Sequence, residues 1–211
     1  MALPRISPYP LPEAGQLPTA RGPWQPQRER IALLVHDMQQ YFLAAFDAGS
    51  APLAPAVANI AALLAHCRAR DIPVFYTAQR GQQDRRDRGL QADLWGPGMQ
   101  ATAEHESILA ALAPAPGDQV LVKHRYSAFQ RSNLETLMRA RGRDQLLVTG
   151  VYAHIGCTAT VNEAFQRDIE AFIGADAVAD FSRADHDLAL DLIARTCGVP
   201  LTTAHLLEAL A

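Results

Sequence analysis

A chain of 211 residues, 49% of them hydrophobic and 19% charged, can bury a sizeable core within one domain. The formal net charge of -3 gives no electrostatic case for nucleic acid. No apolar run approaches a membrane span, and the opening "MALPRISPYPLPEAGQLP" lacks the apolar centre of a signal peptide. The three cysteines, Cys67, Cys157 and Cys197, are odd in number and far apart. That suits a reducing compartment better than a disulfide framework, so the expected location is the cytoplasm.

Residues 1–30 are rich in proline and carry no period. They read as an extended arm lying on the domain or on a partner subunit. Residues 31–211 read as a single catalytic domain. "IALLVHD" (31–37) is an aliphatic run and predicts a buried strand. Over 55–70, Val57, Ile60, Ala61, Leu64 and Cys67 recur at helical spacing. "IPVFYTAQ" (72–79) predicts a second strand. A long loop follows, with arginines and interrupting aspartates in "RGQQDRRDR" (80–88), and then "LWGPGM" (94–99). A short helix is expected over 104–112, a third strand over 118–123 and a helix over 132–141.

"QLLVTGVY" (145–152) predicts a fourth strand. The helix at 158–168 has Val161, Ala164, Phe165 and then Ile169 on one face. A fifth strand at 171–180, a helix at 183–196, a short sixth strand and a closing helix complete the chain. The strands are continuous apolar runs, as expected when helices cover both faces of a sheet. Strand–helix alternation with short connections implies a parallel sheet with right-handed crossovers. The expected fold is α/β: a three-layer, doubly wound, six-stranded parallel sheet.

Ligands of such sheets bind beyond the carboxyl ends of the strands. Asp37, Gln79 and Lys123 stand at the ends of strands 1, 2 and 3, and Tyr152, Gly156 and Cys157 follow strand 4. Singly, these residues read as a turn aspartate, a solvated lysine and a small buried cysteine. Together they point to a site. A thiol at a helix start beside an ammonium has a lowered pKa. On residue types alone, an Asp–Lys–Cys hydrolase with a thioester intermediate is one reading. The glycines around 150–156 do not make G-x-G-x-x-G, and the histidines show no metal-ligand spacing. His36 and Asp37 are adjacent and are expected on opposite faces of the strand. His154 is the nearer candidate for a pocket neighbour, against the plainer reading of a satisfied histidine.

"LLVHDMQQYF", "YTAQ", "DLWGPGM", "VLVKHRYSAF", "GRDQLLVTGVYAHIGC" and "ADAVADFSRADH" together resemble the isochorismatase family across essentially the whole chain. The resemblance is strongest to the branch acting on chorismate-derived enol ethers. That branch holds the siderophore isochorismatases and the phenazine-pathway hydrolase of 2-amino-2-deoxyisochorismate. It implies a homodimer and a site with neither metal nor organic cofactor. By matching motif it implies Asp37 as general acid and Lys123 as its cationic partner. Gln79, Arg88, Tyr152 and Gly156 match positions that hold the substrate, with Arg85 or Arg86 as alternates to Arg88. Phe42 and Trp95 match the apolar wall. The resemblance also implies a cis peptide before Tyr152.

The implied substrate is a small vinyl ether, isochorismate. The alternative is 2-amino-2-deoxyisochorismate; a cysteine amidohydrolase and a non-catalytic dimeric binding protein are more distant alternatives. Vinyl ethers hydrolyse by protonation at the methylene carbon, a step that needs a carboxylic acid and no thiol. Cys157 is therefore expected to be a dispensable pocket-floor residue. His124 departs from the tryptophan of many relatives, Thr158 from the methionine of some. A free-standing chain implies either a separate carrier protein for the product or a pathway that needs none.

Overall fold

The computed structural model of the chain describes residues 4–211. Its strands are β1 (Ile31–His36), β2 (Val74–Ala78), β3 (Gln119–Val122), β4 (Gln145–Val151), β5 (Glu170–Ala179) and β6 (Val199–Leu201). They form one sheet in the order β3-β2-β1-β4-β5-β6, with every neighbouring pair parallel. All residues of β1 and β4 are buried, which is why their sequences are unbroken apolar runs.

The helices, in chain order among the described residues, are α1 (Gln40–Leu43), α2 (Leu53–Arg68), α3 (Arg85–Arg88), α4 (Gln91–Trp95), α5 (Ala103–Glu106), α6 (Leu134–Ala140), α7 (Thr158–Phe165), α8 (Arg183–Thr196) and α9 (Thr203–Ala209). Leu33, Val35 and Leu147 of the sheet pack with Ile60 and Leu64 of α2 and Leu206 of α9. Leu34, Leu146 and Val148 point the other way, against Met138 of α6, Val161 of α7 and Ile193 of α8. The sheet is thus enclosed by helices on both faces, the expected α/β architecture. Burying each fully enclosed leucine or isoleucine stabilises by ~1.5–3 kcal/mol, which is what holds the layers together.

The arm, from residue 4 onward, lies on the domain itself. Ile6 and Tyr9 are buried. The Ile6 N–H donates to Ala45 O at 2.8 Å, and the Asp180 N–H donates to the Tyr9 hydroxyl at 2.7 Å.

The structure differs from expectation in two stretches. The helix expected over 104–112 is broken after α5, because Ser107 is extended and lets Ile108 bridge to Gln39. The expected long loop after β2 contains α3 and α4, two short helices that the arginine and aspartate pattern did not reveal. Phe165, on the helix face of the buried Val161 and Ala164, is itself 44% exposed and lies against Trp24 of the arm.

The chain leaves β1 towards β2 on one side and β4 towards β5 on the other. The crevice between the carboxyl ends of β1 and β4 is the switch point where doubly wound sheets bind ligands.

Candidate active site

A cavity opens at that switch point. Asp37 enters it directly after β1. Its φ of 50° takes the backbone out of the strand conformation. The alternation of side chains therefore ends there, and His36 and Asp37 both line the cavity. The expectation of opposite faces fails for this reason.

Asp37 is the most heavily bonded group of the site. Lys123 Nζ lies 2.8 Å from Oδ2, and Gln79 Nε2 donates to Oδ2 at 3.2 Å. The Thr77 hydroxyl donates to Oδ1 at 2.6 Å. Asp37 is 4% exposed and Lys123 1%. Burial opposes charge on Asp37, but the Lys123 ammonium, His36 and the hydrogen bonds from Lys123 and Thr77 outweigh it. The carboxyl is held below its ordinary value, so Asp37 and Lys123 form a buried ion pair. Lys123 Nζ also donates to Arg125 O at 2.8 Å, which fixes the ammonium at the end of β3.

His36 is pinned between two carbonyl oxygens, Val151 O at 2.8 Å from Nδ1 and Tyr126 O at 3.1 Å from Nε2. Burial pushes its pKa down. Gly156 passes directly over this ring: a Cβ there would meet His36 Cε1 at 2.3 Å. The glycine is a steric requirement of the histidine beneath it.

The apolar wall is aromatic. Tyr152 donates from its hydroxyl to Phe42 O at 2.6 Å, and its ring contacts Phe42, Phe46 and Phe181. The Val151–Tyr152 peptide is cis. Trp95 is held by donation from Nε1 to the Tyr126 hydroxyl at 2.7 Å.

Arg88 is 7% exposed and lines the cavity, whereas Arg85 is drawn outward to Asp93 at 2.9 Å. Arg88 Nε donates to Gly96 O at 2.6 Å, and Nη1 and Nη2 find no acceptor among the described residues. Gly98, at φ +78°, lies against the guanidinium; a Cβ there would sit 2.6 Å from Cζ. Burial pushes the Arg88 pKa down. Arg88 thus presents a guanidinium to the cavity that can pair with an anionic group.

Cys157 is fully buried and does not line the cavity. Its side chain packs with Val161, Ala153 and Val178 in the core beneath. Burial pushes the thiol well above its ordinary value, against the lowering expected from a helix start and a nearby ammonium. The expected pocket-floor position is therefore one layer too high. His154 is a satisfied histidine: its Nδ1 lies 2.7 Å from Asp180 Oδ1, and its N–H donates to Oδ2 at 2.6 Å.

The structure brings Asp37, Lys123, Gln79, Arg88, Phe42, Trp95, Tyr152 and Gly156 to one cavity. It adds His36, Tyr41, Gln91, Met99, Tyr126, Val151, Ile155 and Phe181. Tyr126 and Phe181 follow β3 and β5 closely, so the strand-end rule reaches them. Among the described residues, no group of three or more His, Cys, Asp and Glu side chains is placed to hold a metal ion. No helix among them is long and apolar enough to cross a membrane.

The family model described as the isochorismatase domain matches residues 31–205. The chain is 49% identical over 210 residues to an isochorismatase of Bacillus subtilis, covering 100% of this chain and 67% of that protein. It is 45% identical to the phenazine biosynthesis protein PhzD1 of Pseudomonas aeruginosa, covering 98% and 99%. Among solved structures, a cysteine hydrolase from Pseudomonas syringae superposes with a TM-score of 0.79 at 27% identity, covering 92% and 97%.

Proposed function

The chain belongs to the isochorismatase family, and from that premise we propose that it hydrolyses the enolpyruvyl ether of isochorismate. The products are pyruvate and 2,3-dihydro-2,3-dihydroxybenzoate. The observation that carries this reading is a buried carboxyl, Asp37, at the head of an aromatic cavity that no thiol lines.

Asp37 is the acid and Lys123 its charge partner. The substrate brings two carboxylates into a closed space. Lys123 turns its charge towards one of them, and the added negative charge lifts the Asp37 pKa so that the carboxyl takes up a proton. That proton passes to the vinyl methylene carbon. The ether oxygen shares its electrons with the adjacent carbon, giving an oxocarbenium ion. Water adds to that carbon and returns a proton to the Asp37 carboxylate. The hemiketal then breaks its bond to the ring oxygen, which takes a proton, and pyruvate forms. The aromatic wall of Trp95, Phe42 and Tyr152 keeps bulk water from the vinyl group until the proton has moved. Gln79 orients the Asp37 carboxyl, Arg88 takes a substrate carboxylate, and the backbone at Tyr152 and Gly156 borders the ring.

Likeness to the phenazine protein supports a second reading: the same reaction on 2-amino-2-deoxyisochorismate. The two substrates differ in one heteroatom. We further infer a cytoplasmic homodimer, with either a separate carrier protein for the product or a pathway that needs none. The test is pyruvate release from both enol ethers side by side. Pyruvate from isochorismate with the higher kcat/KM supports the main reading; a preference for the amine supports the second. No pyruvate from either contradicts both.

A further inference from the structure

The buried polar side chains that line the cavity are His36, Asp37, Gln79, Arg88, Gln91, Lys123 and Tyr152. Most are engaged within the protein. His36 lies between two carbonyls, Gln79 and Lys123 bond Asp37, and Tyr152 bonds Phe42. Two are left over. Arg88 has a single bond, through Nε. Gln91 is 9% exposed, and its Nε2 is buried with no partner among the described residues.

A buried unpaired amide destabilises the protein that carries it. Gln91 opens α4, and Trp95 lies four residues on, along the same helix face. Trp95 is fixed by Tyr126 and forms the cavity wall. Gln91 thus belongs to the wall next to Trp95, on the same short stretch that supplies Arg88.

We propose that the Gln91 amide and the Arg88 guanidinium together hold a substrate carboxylate. This rests on the function proposed above and names the recognition of its substrate. A dianion needs two cationic positions. Lys123 beside Asp37 serves the carboxylate next to the vinyl group, because that carboxylate must lie where the proton is delivered. The ring carboxylate goes to Arg88, the other buried cation of the cavity. Gln91 adds a neutral N–H donor to it. An amide suits this place, because a second cation would find no counter-charge when the site is empty.

The test uses Gln91→Met and Gln91→Glu, with pyruvate release from both enol ethers and the Tm of the ligand-free proteins. Met removes the unpaired amide but keeps the volume. Its KM is expected to rise about tenfold or more on both substrates, with kcat little changed, because a bond to a charged group is lost. Its Tm is expected to hold or rise, since an unsatisfied donor has been deleted. Gln91→Glu sets a carboxylate against a carboxylate and raises KM further. An unchanged KM in both variants overturns the assignment, as does a rise confined to one substrate, which would assign the amide to the ring substituent. If Gln91→Met does not fold, the near-isosteric Gln91→Glu decides through its KM. A wild-type protein inactive on both compounds contradicts the function itself, which separates that failure from this one.

Discussion

Lys123 Nζ and Asp37 Oδ2 lie 2.8 Å apart, with both side chains almost wholly buried. The free site is therefore held in the ionised state, while the proposed chemistry needs the carboxyl protonated. The substrate must close that gap with its own charge.

This has a kinetic signature. The profile of kcat/KM follows the free enzyme, in which Asp37 titrates below its ordinary value, so kcat/KM falls as the pH rises above the acid range. The profile of kcat follows the enzyme–substrate complex, in which the carboxyl holds its proton to higher pH. The descending limb of kcat is expected at higher pH than that of kcat/KM. Steady-state rates across the pH range check this; coincident or flat profiles would contradict it.

The contact between Gly156 and His36 makes a steric prediction. Gly156→Ala places a methyl 2.3 Å from His36 Cε1. The ring cannot swing aside, because both nitrogens face carbonyl oxygens. Overpacking of this kind costs about 1–3 kcal/mol. The variant is expected to lose several degrees of Tm and to lower kcat/KM, because His36 adjoins Asp37. Thermal unfolding and pyruvate release on the same preparation check it.

Arg88 and its neighbours separate by burial. Arg88 is enclosed with unpaired Nη atoms, whereas Arg85 and Arg86 are exposed. Arg88→Lys loses the planar fork and is expected to raise KM about tenfold, the scale of a bond between charged groups. Arg85→Lys and Arg86→Lys are expected to leave KM unchanged. Substrate titrations of the three variants check this.

Two histidines outside the reaction carry opposite pH dependences. The hydrogen bond from the His154 ring to the Asp180 carboxylate raises the His154 pKa against the effect of burial. Its stabilisation is fully present below the unfolded value of 6.5 and is lost as the pH rises through the folded value. Burial lowers the His186 pKa; its contribution is present above 6.5 and is lost as the pH falls towards the folded value. His154→Gln removes only the first. Its Tm deficit relative to wild type is expected to be larger at about pH 5.5 than at about pH 9. An equal deficit at both would contradict the assignment.

The framework was legible because the physics of burial writes it plainly. β1 and β4 are buried throughout, so "IALLVH" and "QLLVTGV" stand out as apolar runs. The strand-end rule then reached Asp37, Gln79 and Lys123 without tertiary information. His36 was missed because strand alternation was carried one residue too far, past the left-handed turn at Asp37. Gln91 was missed because α4 is a single short helix in a polar stretch, where only its spacing of four to Trp95 hints at a shared face. Cys157 was read from its place in the chain. Its fully buried packing against Val161 depends on the turn at Ala153–Cys157, which no local pattern announces.

The most direct measurement is pyruvate release from isochorismate by wild type, Asp37→Asn and Cys157→Ala. Asp37→Asn is expected to lose about 10²–10⁴-fold in kcat, the contribution of a positioned general acid. Cys157→Ala is expected to stay close to wild type in kcat and to lose about 1 kcal/mol of stability from a small cavity. An active Asp37→Asn, or an inactive but folded Cys157→Ala, would contradict acid-catalysed vinyl-ether hydrolysis and return the chemistry to the thiol.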